Sequence, residues 1–453
     1  MRRLISALFL AVMAIAMASG RPLQAQPALV FDMDTGRVLL AEEPGRRWYP
    51  ASLTKLMTAY LVFDAVEKGR LRLDTEVTIS RKAANGGGRG AARYGAKPGE
   101  KMTVHAMLAF LLVRSDADMA VGLAEAVAGS EEAFVARMNE TARRLGMSAT
   151  RFANAHGMHN PQQYTTARDM GLLAMAIYHH FLKKHPDWWR YFSAPYVTKK
   201  GHKRRNRNKL LFMMPEANGM KTGFLCTSGF NLLATARRNG RQIAAVVFGR
   251  KTGYTRALVA KVLLKEGFLR LADSRWQKGP FIAALRNETG SEPVNLRKSI
   301  CARRQIRYAL PRNAGGWAVA LGQFKNAVNA EEIIDAERMA NGLAWRDLGE
   351  FYGVARLSPP PHFTGLVWRL TESVALSLCA RARLHEVDCT VYPPESFRQM
   401  ATAIIGDSER RLRRQAARAR KVRKINVKSR KLRKRQHLRK KRPRLKVTPA
   451  HGG

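Results

Sequence analysis

Two apolar runs set around an Asn-Gly dipeptide place the strongest demand on how this chain folds. Phe230-Asn-Leu-Leu-Ala-Thr-Ala236 and Gln242-Ile-Ala-Ala-Val-Val-Phe248 flank Asn239-Gly240, the residue pair that best tolerates the backbone of a tight hairpin. A second strand–turn–strand signal opens the body, with Ala28-Leu-Val-Phe-Asp32, the turn Asp34-Thr-Gly36, and Arg37-Val-Leu-Leu-Ala41. Between these β signals, Ser52 to Val66 carries apolar residues at helical spacing, and Val104 to Val127 does so around a break near Ser115. The stretch from Asn85-Gly-Gly-Gly88 to Pro98-Gly99 reads as loop. Residues 27–275 therefore form one continuous mixed α/β unit.

The chain has 453 residues, enough for two or three domains. A polar, Arg/Lys-rich stretch, assigned as a linker over 276–314, precedes a second unit at 315–395. There the pattern restarts as strand (Trp317 to Phe324), helix (Ala330 to Asn341), strand (Gly353 to Leu357), helix (Leu366 to Leu384) and strand (Val387 to Val391). With a short strand near Trp345 the order becomes βαββαβ, a ferredoxin-like antiparallel sheet with helices on one face.

Charge is concentrated at one end. Residues 396–453 are assigned as a basic, disordered tail, and from Arg410 to Lys446 there are 21 Lys and Arg in 37 residues with no acid. The net charge of +46 thus leaves +25 on the rest of the chain. Nucleic acid, anionic lipid and acidic polysaccharide all suit such a surface, and compartment decides between them. Arg2 and Arg3, the apolar stretch Leu4 to Ala18, and small residues at Ala18, Gly20 and Ala25 read as a secretory leader over 1–26. An uncleaved anchor is the rival reading, but about 15 apolar residues fall short of the ~20 a bilayer requires. The expected location is outside the cytoplasm, in the periplasm, peripheral to the inner membrane or at the septum. That makes nucleic acid an unexpected partner.

Cys226, Cys301, Cys379 and Cys389 are too few and too scattered for a disulfide-built scaffold or a zinc cluster. Cys379 and Cys389 are placed to bridge a helix to the strand after it, or to remain two free thiols. Cys226 is expected to be a structural core residue. No cofactor and no metal are expected, because His156, His179 and His180 share no ligand-like spacing.

The chemistry rests on three segments. Ser52-Leu-Thr-Lys55 places a hydroxyl and an ammonium one helical turn apart, the geometry of a lysine-activated serine nucleophile. Alone, that spacing is expected roughly once by chance in a chain of this length. Lys221-Thr222-Gly223 directly precedes the hairpin, on a strand at a sheet edge, where a lysine and a hydroxyl can hold a carboxylate. There a glycine lets the substrate backbone lie close. Ser115 falls between them, at the break in a helical pattern.

The three segments in this order resemble the active-site set of penicillin-recognising serine enzymes. More closely, Trp48-Tyr-Pro-Ala-Ser-Leu-Thr-Lys55, Leu111-Leu-Val-Arg-Ser115, Thr165-Thr-Ala-Arg-Asp169 and Gly219-Met-Lys-Thr-Gly-Phe224 resemble the low-molecular-mass D-alanyl-D-alanine carboxypeptidases. The resemblance implies a penicillin-binding-protein/β-lactamase-like transpeptidase fold and removal of the terminal D-Ala from peptidoglycan stem pentapeptides. It assigns Ser52 as nucleophile, Lys55 as base, Ser115 as proton relay, and Lys221 and Thr222 as the carboxylate site. The oxyanion hole falls to the backbone N–H groups of Ser52 and Phe224. β-Lactams are the implied covalent inhibitors.

The chain departs from that family where Ser115-Asp116-Ala117 replaces Ser-x-Asn. Loss of one such donor typically costs on the order of 2–4 kcal/mol in the transition state, so Ala117→Asn is expected to raise acylation by penicillin. Asp116 and Asp118 are the candidate substitutes, although a carboxylate cannot donate as an amide does. A second Lys-Thr-Gly at Lys251 to Gly253 is expected in an exit loop. No Glu-x-x-Leu-Asn follows Ser115 at the spacing of a dedicated β-lactamase.

Trp317-Ala-Val-Ala-Leu-Gly-Gln-Phe324, the Asn329-Ala330 helix start and Ala375-Leu-Ser-Leu-Cys379 resemble the sporulation-related (SPOR) repeat, which implies binding to glycan strands. The sequence thus supports an exported carboxypeptidase with a glycan-binding module. Two rival readings stand beside it: a catalytically impaired peptidoglycan-binding scaffold, favoured by Ala117, and a basic nucleic-acid-binding protein.

Overall fold

The computed structural model describes residues 26–406 except 289, 303–305, 307, 310, 312–313, 349–350 and 358–361, together with Arg410. The expected leader up to residue 25 and the basic run from 411 lie outside the described residues. The strands are β1 (Ala28–Asp32), β2 (Val38–Glu42), β3 (Glu76–Thr78), β4 (Lys101–Thr103), β5 (Tyr196–Lys199), β6 (His202–Arg205), β7 (Ala217–Leu225), β8 (Gly229–Arg238), β9 (Arg241–Arg250), β10 (Trp317–Phe324), β11 (Tyr352–Leu357), β12 (His362–Leu370) and β13 (Cys389–Tyr392).

The Asn-Gly signal produces the expected hairpin. Arg238 pairs with Arg241, and Asn239 and Gly240 take φ of 48° and 77°, the paired positive angles of a two-residue turn. β8 and β9 lie inside a five-stranded antiparallel sheet of order β2-β1-β9-β8-β7. One face, with Phe31, Leu233, Val246 and Phe248, packs on the helices Lys55–Glu67 and Ala167–Ile177. The other, with Val30, Leu232, Ile243 and Val247, packs under the helix Gly253–Ala272. Covering both faces explains why these strands read as unbroken apolar runs instead of alternating ones.

The assigned linker is different in structure. The described residues of 273–301 lie along the first unit as a strap: Ile282 N donates to Gly36 O at 2.8 Å, Asn287 Nδ2 to Asp169 Oδ1 at 3.0 Å, and Leu296 N to Thr227 O at 2.8 Å. Its polar composition conceals well-spaced apolar anchors, among them the buried Ile282 and Ile300. Cys226, expected to be a structural core residue, is instead half-buried in the turn after β7, where it is joined to Cys301, 75 residues away. The strap is thereby tied to the strand that carries Lys221. Cys379 and Cys389 are also bonded, joining the helix Glu372–Leu384 to β13.

The second unit has the order βαββαβ in a sheet β11-β12-β10-β13, antiparallel throughout. Two expectations are corrected. The residues from Trp345 form a short helix, Trp345–Leu348, and the additional strand is β12, whose C-terminal half was read as the start of a helix. β12 runs between two neighbours and is buried through Thr364–Trp368, so Leu366-Val-Trp-Arg-Leu370 shows no alternation to mark it as β. Helices also cover both faces. The helices Ala327–Ala340 and Glu372–Leu384 take one side, and a helix over 394–406, beyond the boundary assigned at 395, takes the other. Phe397, Ala401 and Ile404 of that helix are buried; Phe397 and Ile404 share a cluster with Ala318, Leu366 and Trp368.

The two units meet where Ala327–Ala340 packs on Gly253–Ala272, through a buried ionic seam. Arg250 pairs with Asp335; Arg338 reaches Glu42 at 2.6 Å and Asp335 at 2.9 Å; and Lys251 reaches Glu331 at 2.6 Å. Beside them, Glu266 accepts from Arg381 Nε at 2.8 Å and lies 3.2 Å from His385, whose other ring nitrogen is 2.8 Å from Glu337. Burial disfavours the Glu266 carboxylate, but hydrogen bonds from His385, Arg381 and Arg270 outweigh it and pull its pKa down to about 2. A depressed carboxylate stabilises the fold above its unfolded value, and that contribution is lost as pH falls through the folded one. Glu266→Gln, which leaves those cations uncompensated, should cost about 3–5 kcal/mol in urea unfolding at pH 7. The gap to wild type should narrow as the pH is taken from 4.5 towards 2; an unchanged midpoint at pH 7 would remove Glu266 from the docking interaction.

Candidate active site

Ser52 sits in a 3₁₀ turn, Ala51–Thr54, that leads directly into the helix Lys55–Glu67. Ala51 holds a φ of 50°, a left-handed conformation unusual for a residue with a Cβ, so the turn presenting Ser52 is strained and held by its surroundings. Lys55 Nζ lies 3.3 Å from Ser52 Oγ and donates to the carbonyl of His156. The lysine is 1% exposed. Burial brings its pKa down to about 7; Asp116 and Asp118 pull it up, and Arg207 pushes it down.

The break anticipated near Ser115 is a π-helical turn, Phe110–Arg114, which ends with Ser115 at φ 68°. This turn directs the hydroxyl back to the sheet, where Lys221 Nζ donates to Ser115 Oγ at 2.8 Å and to the carbonyl of Thr222 at 2.8 Å. β7 is the sheet edge, as expected for Lys221 to Gly223. Burial first, and then Lys55, Arg207 and Arg256, push the pKa of Lys221 well below the usual lysine value. Phe224 is an exposed ring tilted by 31° against Phe230, with centroids 4.1 Å apart.

Gly223 also has a close neighbour within the protein. A Cβ there would lie 2.9 Å from Pro50 O and 3.2 Å from Ser52 N, so the missing side chain lets the edge strand seat against the turn that carries Ser52. The close neighbour is this turn of the protein itself.

Ala117 is buried, and a Cβ on Gly87 would lie 2.8 Å from its methyl. An asparagine at 117 would therefore press on the 86–88 turn, and the expected gain from Ala117→Asn now depends on that turn giving way. Asp118 is committed elsewhere: its carboxylate accepts from Tyr94 N at 2.9 Å and Gly95 N at 2.7 Å, holding the neighbouring loop. Asp116 occupies the N-cap of Ala117–Ala128 without making a capping hydrogen bond. Burial and Asp118 raise its pKa to about 6, opposed by Arg207, Arg114 and Lys55.

Two contributors, Arg256 and Arg207, were not singled out from sequence, and a third, His156, was considered only as a metal ligand. Arg256 is buried behind β7 and donates to Gly223 O and Asn231 O, each at 3.3 Å, and to Arg207 O at 3.2 Å. Burial and Arg207 bring its pKa down to about 9. Arg207 is fixed through its backbone N–H to Val113 O at 3.2 Å. His156, read as an ordinary surface or core histidine, supplies the carbonyl that Lys55 binds, while burial and Lys55 lower its ring pKa to about 3. The second Lys-Thr-Gly, at 251–253, is structural. Thr252 forms a capping box with Thr255 at the start of the helix that carries Arg256, and Lys251 joins the seam between the units.

A buried lysine near neutrality beside a serine, facing a cationic edge strand linked to a second serine, defines an active-site-serine acyl-transfer enzyme. The peptidase S11 family, D-alanyl-D-alanine carboxypeptidase, matches residues 14–252, and the chain belongs to it. It is 33% identical over 281 residues to the D-alanyl-D-alanine carboxypeptidase DacF of Bacillus subtilis, covering 58% of this chain and 70% of that protein. With the Escherichia coli enzyme DacC it is 34% identical over 244 residues, covering 53% of this chain and 60% of the relative. Penicillin binding protein 5 from Haemophilus influenzae superposes with a TM-score of 0.51 at 33% identity, covering 55% of this chain and 73% of that one. The carboxypeptidase DacD from Francisella tularensis gives 0.50 at 28% identity, covering 56% and 74%.

Lys55 should titrate near pH 7 when followed by NMR at its ε-carbon. Asp116→Asn removes a charge that favours the ammonium form, so the midpoint should move to lower pH. An upward shift, or none, would show that Asp116 does not act on Lys55.

Proposed function

We propose that this chain is an exported serine carboxypeptidase that removes the terminal D-Ala from peptidoglycan stem pentapeptides through an acyl-enzyme on Ser52. The observation that carries this reading is the 3.3 Å contact between buried Lys55 and Ser52, with Lys221 bonded to Ser115 at 2.8 Å beside it. Lys55 takes the Oγ proton as Ser52 attacks the carbonyl of the penultimate D-Ala. The oxyanion is met by the backbone N–H groups of Ser52 and Phe224, a pairing supported by the close seating of β7 on the nucleophile turn. As the C–N bond breaks, Ser115 passes a proton to the departing amine. Water then cleaves the ester and restores the serine. Lys221 and Thr222 hold the substrate's terminal carboxylate, with the positive field of Arg256 behind them. β-Lactams acylate the same serine.

The C-terminal domain is proposed as a SPOR-like module for glycan strands. Its βαββαβ strand order supports this, as does its attachment to an enzyme acting on the same polymer. Because helices cover both broad faces of the sheet, glycan contact falls to its edges and loops. The leader-like N-terminus supports export to the periplasm. The basic tail supports attraction to anionic membrane, at roughly 1 kcal/mol per basic residue near the surface.

Labelling with fluorescent penicillin, followed by assay of D-Ala release from a pentapeptide, tests the central reading. Wild type should label and release, and Ser52→Ala should do neither. Labelling without release would favour a catalytically impaired scaffold, the second reading, which the alanine at 117 supports. Binding of the full chain to anionic vesicles should disappear by ~0.5 M salt; binding that survives would exclude a purely electrostatic tail.

A further inference from the structure

The hairpin β5–β6 belongs to no part of the machinery described above. It lies within a stretch from 188 to 215 that has no acidic residue, and Lys200, Lys203, Arg204 and Arg205 are all exposed. Among the described residues, none of these four has a carboxylate within ion-pair distance, whereas other exposed lysines and arginines, such as Lys68, Lys82, Lys184 and Arg275, each have one. Lys200 and Gly201 form the turn at positive φ, so Lys200 stands at a tight two-residue tip and Lys203, Arg204 and Arg205 follow it along β6.

The base of this hairpin is fixed to the active site. The carbonyl of Arg205 accepts from Arg114, Arg207 donates its backbone N–H to Val113 O at 3.2 Å, and Asn208 Nδ2 donates to Gly219 O on β7 at 2.9 Å. Arg114 immediately precedes Ser115, so the cationic strands rise from the Ser115 side of the cleft. Lys199 closes the flank by donating to the carbonyl of Tyr94. A strand of four residues extends about 13 Å, the length of three to four residues of extended peptide. The rim is therefore long enough to accompany a peptide whose C-terminal end lies at Ser52.

We infer that the β5–β6 hairpin is a specificity surface for free carboxylates carried by the stem peptide ahead of its D-Ala-D-Ala end. The inference rests on the carboxypeptidase reading and adds to it a preference for an anionic donor chain. Each exposed ion pair is weak, but several cations on one rim add up and respond steeply to salt.

Binding separates this inference from turnover. In full-length Ser52→Ala protein, at ~50 mM salt, a pentapeptide with free upstream carboxylates should bind about 10-fold tighter than the same peptide with those groups amidated. The preference should shrink to within about 2-fold in ~0.5 M salt. Adding Lys200→Gln, Lys203→Gln and Arg204→Gln should remove it at low salt, with affinity for the amidated peptide and the melting temperature unchanged. A preference that survives the triple substitution, or is absent from the parent, overturns the inference. If the triple variant instead loses anionic-vesicle binding while keeping the peptide preference, the hairpin is a membrane contact and the inference also fails. D-Ala release by wild type is scored separately, so a failed carboxypeptidase reading cannot be confused with a failed hairpin.

Discussion

Two lysines, Lys55 and Lys221, are buried in one cleft, and among the described residues their hydrogen-bond acceptors are neutral oxygens: Ser52 Oγ and His156 O for the first, Ser115 Oγ and Thr222 O for the second. An ion pair would satisfy a buried lysine more strongly, but it would keep the lysine protonated and useless as a base. Neutral acceptors leave desolvation to lower both pKa values, and repulsion from Lys55 adds to it at Lys221. The surrounding charges tune this balance from outside direct contact. Asp116 raises the pKa of Lys55, while Arg207 lowers it.

The sheet edge makes this arrangement possible. Among the described residues β7 has a strand partner on one side only, which leaves its other side for the turn that carries Ser52. Gly223 lets the turn approach, and the π turn before Ser115 brings the second hydroxyl to Lys221. The helix Gly253–Ala272 then serves two regions: Arg256 near its start reaches the back of β7, and Glu266 further along receives Arg381 and His385 from the second unit. The C-terminal domain is thus seated on the element that delivers an active-site arginine.

What could be read from sequence follows the range of the interaction. Ser52 and Lys55 are one turn apart on a single helix, and Asn239-Gly240 marks its own hairpin, so local chemistry revealed both. The departure at Ala117 was visible for the same reason. Arg256, Arg207 and the carbonyl of His156 were not, because nothing in their local pattern separates them from the many other arginines and histidines of a basic chain. β12 was misread because a strand buried on both faces loses the period of two, and the strap at 273–301 because polar composition masked widely spaced anchors.

By itself, the sequence determined the reactive pair, the edge-strand lysine, the hairpin at the sheet's centre and the basic excess, all of which depend on residues within a few positions of one another. Only the tertiary structure decided that Cys226 joins Cys301, that Asp118 is occupied by a loop while Asp116 is not, that the two units lock through buried ions, and that a cationic hairpin borders Ser115. Those outcomes depend on which distant segments share a desolvated space, and that is set by packing of the whole chain.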